Sequence, residues 1–88
     1  MLTGKTPTGF VFAISESKLE NMEMLDALAA LDRGDGTQLS NVLRLLFTPE
    51  QKAKLYDHVR LEDGTVPIPK ITEEITAIFE ANQKAKNS

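Results

Sequence analysis

The sequence predicts a mainly α-helical domain of about four helices with one β-strand near its N-terminus. Three observations lead to this fold class. Apolar residues recur at three- and four-residue steps over most of the chain, which is the spacing of one helix face. Residues that cap or end helices stand between these stretches. Only one segment, residues 10–15, alternates with the two-residue period of a strand.

The length and composition allow one domain with a modest core. The chain has 88 residues, of which 41% are hydrophobic and 26% are charged, as in ordinary soluble proteins. A chain this short buries about 60% of the surface that its unfolded form exposes, which leaves little room for a deep enclosed pocket. We expect a flexible leader at residues 1–8, a single helical domain at residues 9–81 and a polar tail at residues 82–88.

Composition also disfavours several classes of protein. The chain has no cysteine, which excludes disulfides and thiolate metal sites. Its formal net charge of -3 does not favour non-specific binding to nucleic-acid phosphates. No apolar run approaches the ~20 residues of a membrane span, and residues 1–15 do not resemble a secretion signal. We therefore expect a cytoplasmic protein that does not bind a membrane.

The predicted strand needs a partner, because the backbone groups of a lone strand stay unsatisfied. Phe10, Phe12 and Ile14 form one face of this strand. Within the chain, the best candidate partner is a short strand at residues 60–66, which contain a turn sequence. The alternative is strand addition by a second chain, which would make the protein a homo-oligomer.

Helix boundaries follow from capping residues. Ser17 and Glu20 form a capping-box pattern, which predicts a first helix that ends before the two glycines of residues 33–36. Thr37 is the expected cap of a second helix that runs to about Phe47. This second helix is apolar on nearly all sides, so it must lie centrally in a core or dock on a partner.

Two further helices follow. Thr48 and Gln51 form another capping-box pattern, with Pro49 at the first helical position, and predict a helix to about His58. The last helix begins near residues 67–69 and carries a narrow apolar stripe. Four of its polar residues are expected to face away from the core: Glu73, Glu74, Thr76 and Glu80.

The sequence assembles no catalytic group, cofactor site or metal site. His58 is the only histidine, and no nucleophile or ligand set stands at a suitable spacing from it. We expect it to be a surface residue at a helix end. The stretch 32–37 superficially resembles a calcium loop, but oxygen ligands are missing at the required positions. The protein is therefore expected not to be an enzyme.

Several motifs follow one another in a recognisable order along about residues 8–81. They are Thr8-Gly9-Phe10-Val11-Phe12, the acidic helix Leu19–Asp32, the run Leu43–Gln51, Leu55-Tyr56-Asp57-His58, Asp63-Gly64-Thr65-Val66-Pro67 and Glu73–Glu80. This order resembles that of the small tail-assembly chaperones of long-tailed phages and prophages of Gram-positive bacteria. The resemblance rests on order and spacing and includes no catalytic signature.

The resemblance implies a non-enzymatic function during phage tail morphogenesis. A member of this family is expected to bind the tape measure protein or the tail tube protein in the host cytoplasm, and to be absent from the mature virion. A longer form, made by frameshift near the codons for Lys84–Asn87, would also suit the family. Apolar residues that could contact the partner are also the natural core residues. They are Leu45, Leu46, Phe47, Tyr56, Ile75 and Phe79.

Two other functions stay open from the residues alone. A small regulatory module of a phage or bacterium, which binds another protein, would carry the same apolar helices. A nucleic-acid binder would use a basic patch with Tyr56 as its stacking aromatic, and the acidic balance of the chain disfavours it. The residues of that patch are Arg44, Lys52, Lys54 and Arg60.

Overall fold

The structure, a computed structural model, describes residues 1–87 and confirms the mainly helical fold class. A β-hairpin at the N-terminus is followed by five helices. The strands are β1, Leu2–Lys5, and β2, Val11–Ile14. The helices are α1, Glu16–Leu19; α2, Met22–Asp32; α3, Gln38–Leu46; α4, Pro49–Val59; and α5, Ile68–Asn87.

The partner of β2 is β1, a segment of the same chain, and residues 60–66 do not take that place. The two strands run antiparallel, with Leu2 opposite Ile14. Two bonds of 2.9 Å close the turn between them: Thr6 N–H donates to the Phe10 carbonyl, and Gly9 N–H donates to the Thr6 carbonyl. A short hairpin loop costs less entropy to close than pairing with a distant segment. The segment interpreted as a leader therefore contains the first strand.

One face of the hairpin packs on the helices. Phe12 and Ile14 on β2 are buried, whereas Val11 is 68% exposed. Gly4 lies opposite Phe12, and a Cβ atom at Gly4 would stand 2.9 Å from Cζ of the Phe12 ring. Because glycine has no side chain, the aromatic ring can lie directly over the β1 backbone.

The helix predicted from Ser17 is interrupted, and the Ser17–Glu20 capping box does not form. Helix α1 ends at Leu19, and a new helix, α2, begins at Met22. The side chain of Asn21 caps α2 by accepting a hydrogen bond from the Glu23 N–H group at 3.1 Å. Leu19 and Met24 are both buried. In one continuous helix they would point about 140° apart, at ~100° per residue. The break allows both side chains to reach the core.

Helix α3 buries one face in the core, but Ser40 and Arg44 are exposed, so the helix is amphipathic and not apolar on nearly all sides. Val42 and Leu46 have no exposed surface, and Leu43 is 3% exposed. Thr37 occupies the cap position, but its side chain makes no capping bond. Instead, the Asp35 carboxylate accepts the Thr37 N–H bond at 3.2 Å. The turn before α3 is therefore stabilised by the side chain of Asp35, two residues before Thr37.

The capping box of α4 is confirmed. Thr48 Oγ1 accepts the Gln51 N–H bond at 3.2 Å, and Gln51 Oε1 accepts the Thr48 N–H bond at 2.9 Å. The side-chain NH2 group of Gln51 donates a hydrogen bond from Nε2 to the Ala13 carbonyl at 3.1 Å. One side chain thus starts α4 and also fastens β2 to it.

Helix α5 packs on the core through a narrow stripe of apolar side chains along one face. Ile71, Ile75 and Ile78 are at most 3% exposed. The helix continues to Asn87, so the predicted polar tail is helical up to that residue, and Ser88 lies outside the described residues. Near this end, Lys86 Nζ lies 3.3 Å from Glu20 Oε1.

Candidate functional site

An apolar groove runs along one side of α5. Helix α5 forms one wall, and the end of α2 together with the start of α3 forms the other. Its main cavity has a volume of about 540 Å³. The apolar lining residues are Leu28, Leu31, Leu39, Ile75 and Phe79. A concave apolar surface of this size is typical of a binding site.

A second depression continues the groove toward the start of α5. It has a volume of about 310 Å³ and is lined by Leu43, Tyr56, Val66 and other apolar residues. Leu39 lines both cavities. Along α5, the lining extends from Ile68 to Lys84. At 1.5 Å per helical residue, this length is about 24 Å.

The rim of the groove is polar but mostly uncharged. Six of the lining residues have small uncharged polar side chains: Thr37, Ser40, Thr72, Thr76, Asn82 and Gln83. The charged lining residues, Glu80 and Lys84, stand at one end. Charged residues make up 26% of the whole chain. Depletion of charge is typical of the centre of protein–protein interfaces.

Apolar side chains also stand beside the groove in contact with water. Ile68 lines the second depression and is 70% exposed. Leu25 is 57% exposed and lies one turn before Leu28 on the same face of α2. Single exposed apolar residues are common, but exposed residues next to an apolar groove enlarge one surface patch. The groove and its edges therefore form a candidate site for a protein partner.

Of the six residues predicted to contact a partner, three line the groove and three lie elsewhere in the fold. Leu46, Phe47 and Ile75 are at most 5% exposed and belong to the core, although Ile75 also lines the groove. Tyr56 and Phe79 are half-buried and line the two cavities.

Three residues of that set, Leu45, Leu46 and Phe47, lie away from the groove lining. Leu45 is half-buried against the core. The ring of Phe47 packs edge to face on Phe10, at 6.3 Å between centroids, on the hairpin side of the molecule. The structure therefore brings Tyr56, Ile75 and Phe79 to the groove and leaves the other three elsewhere.

Sequence reasoning missed the opposite wall of the groove. Leu28, Leu31 and Leu39 are not among the six residues that the sequence predicted to contact a partner. A signal was present, since the apolar face of α2 is wide and extends outward to Leu25. An apolar face wider than the contact available to it leaves side chains that a partner can cover.

A buried polar cluster lies on the other side of α5. Glu74, expected on the outer face, is only 2% exposed. Thr6 Oγ1 donates to Glu74 Oε1 at 2.8 Å, and Thr8 Oγ1 donates to Glu74 Oε2 at 2.8 Å. Thr8 Oγ1 also lies 3.0 Å from Nε2 of His58, which is exposed and packs beside Phe10.

The donor and acceptor roles of Thr8 in these hydrogen bonds suit a structural role and not that of a catalytic nucleophile. The Thr8 hydroxyl donates its single hydrogen bond to Glu74, so toward His58 its oxygen can only accept a hydrogen bond, from the tautomer that carries hydrogen on Nε2. An activated nucleophile needs the reverse direction, with the hydroxyl donating to a basic imidazole. The cluster joins the hairpin turn to α4 and α5 through charge-assisted hydrogen bonds.

Two surface turns hold carboxylates in similar local bonds. The hydroxyl of Thr37 donates to Asp35 and lowers the pKa of that carboxyl below 3.8. In the turn before α5, the hydroxyl of Thr65 donates to Asp63 at 2.7 Å and lowers its pKa below the same value. Hydrogen bonds to the ionised form explain both shifts.

Residues 1–87 contain neither a cluster of metal ligands nor a membrane-spanning helix. No group of three or more histidine, cysteine, aspartate or glutamate residues in that part of the chain could hold a metal ion. Within the same residues, no helix combines the length and apolar character needed to cross a bilayer.

Comparison of the chain with protein-family models, curated proteins and solved structures found no match. A functional interpretation therefore depends on the geometry of the groove and on the order of motifs in the sequence.

Proposed function

We propose that this protein is a non-enzymatic tail-assembly chaperone of a long-tailed phage or prophage. It binds the tape measure protein or the tail tube protein while the tail is built. The observation that carries this proposal is the open, apolar and mostly uncharged groove along α5. The resemblance in the order of motifs along residues 8–81 supports a chaperone of the tail-assembly kind.

The shape of the groove favours a helical segment as the bound part of the partner. A length of about 24 Å corresponds to about four and a half helical turns. An amphipathic helix can place apolar residues into such a groove at three- and four-residue intervals. The uncharged rim of Thr72 and Thr76 loses little hydration energy when it is covered, because no ion is removed from water. Of the two partners, the tape measure protein, with its long apolar helices, is the better fit.

The rest of the surface suits a carrier of apolar protein. Charged side chains elsewhere on the chain keep the complex in solution. The free chaperone needs only modest stability, because a bound partner stabilises the folded state by mass action. This proposal includes action in the bacterial cytoplasm and absence from the mature virion.

The first test is the DNA sequence around the gene. The proposal expects a gene for a very long coiled-coil protein downstream, and an adenine-rich slippery run near the codons for Lys84–Asn87. Neighbouring regulatory genes, with no long downstream frame, would contradict the proposal. That result would favour the alternative of a small regulatory module that binds another protein.

The second test uses co-expression with the neighbouring tape measure protein. Thr76→Glu places a carboxylate on the groove wall, at an exposed position where a helix accepts glutamate readily. Ala53→Glu makes the same addition on an exposed part of α4 outside the groove lining. We expect the tape measure protein to stay soluble with the wild type and with Ala53→Glu, and to precipitate with Thr76→Glu.

Circular dichroism and thermal unfolding of both variants serve as controls for folding. If the two variants fold equally and solubilise the partner equally, the groove is not the binding surface. If the partner is soluble without any chaperone, the proposed function itself fails.

A further inference from the structure

We draw no further inference here: the strongest candidate outside the groove, the side-chain cluster of Thr8, His58 and Glu74 beneath the N-terminal hairpin, bonds within the fold, and nothing among the described residues shows a ligand or substrate that it would serve.

Discussion

The two sides of the molecule are held together in different ways. On the hairpin side, formed by β1, β2, α4 and the adjoining face of α5, side-chain hydrogen bonds join distant parts of the chain. Thr6 and Thr8 bond to Glu74, and Gln51 bonds to the Ala13 carbonyl. On the groove side, formed by α2, α3 and the opposite face of α5, these elements contact one another through apolar side chains.

This difference separates a fixed region from an adaptable one. Hydrogen bonds are directional, so the hairpin has one position in which its donors and acceptors are satisfied. Apolar contact is non-directional, and its free energy depends on the area removed from water. A partner can therefore cover the groove without breaking any bond of the hairpin side. The predictions below test this separation, from the largest expected effect to the smallest.

The largest expected difference comes from replacing a phenylalanine by alanine on each side of the molecule. Phe47→Ala should lower the free energy of unfolding by about 3–5 kcal/mol, because it empties a buried site beside Phe10. Phe79→Ala should cost only about 1 kcal/mol, because that ring is already half-exposed in the groove. Urea unfolding of the two variants measures both values. Equal losses would show that the groove wall belongs to the core and is not an adaptable surface.

The polar cluster should be the next most sensitive feature. Glu74→Gln replaces an acceptor oxygen by a donor opposite the threonine hydroxyls, at a cost of about 2–3 kcal/mol for a buried charged acceptor. The amide of Phe10, which donates to Thr6 Oγ1, should then exchange faster with solvent. Glu73→Gln, at an exposed neighbouring position, is the control and should stay within about 0.5 kcal/mol of the wild type. Equal stability of the two variants would mean that the cluster does not hold the hairpin.

A third variant tests the packing of the hairpin itself. Gly4→Ala should cost about 1–2 kcal/mol, because its Cβ would force the buried Phe12 ring to move. Gly36→Ala is the matched control, since it lies in an open turn with no atom within 4 Å of its added Cβ. Thermal unfolding should separate the two. If both melt at the wild-type temperature, Phe12 does not pack on the β1 backbone.

The smallest effect concerns the pH dependence of the turn before α5. The Thr65 hydroxyl lowers the folded-state pKa of Asp63, so this bond stabilises the fold above pH about 3.8. Its contribution is lost as the pH falls through the lowered pKa. Thr65→Val should raise the pKa of Asp63 toward its ordinary value, as measured by carboxyl NMR titration. Thr65→Ser keeps the hydroxyl and should keep the low pKa, and identical titrations of both variants would exclude the hydroxyl as the cause.

The sequence by itself determined the features that depend on neighbouring residues. The mainly helical fold class, the strand at Phe12 and Ile14, and the capping box of Thr48 and Gln51 were all predicted. Each depends on a periodic pattern or on bonds between residues a few positions apart. The burial of the apolar face of α3 also followed from its sequence, whereas the expectation that this helix is apolar on nearly all sides was wrong, because Ser40 and Arg44 are exposed.

The tertiary structure alone decided which surfaces meet. Glu74 has an outward-facing pattern in the sequence, yet Thr6, 68 positions away, supplies a donor that allows its burial. The interruption between α1 and α2 allows both Leu19 and Met24 to be buried in the same core. The groove, likewise, is the space left where α5 does not close against α2 and α3. Contacts between distant elements depend on how all their faces pack together, and no local pattern in the sequence specifies that arrangement.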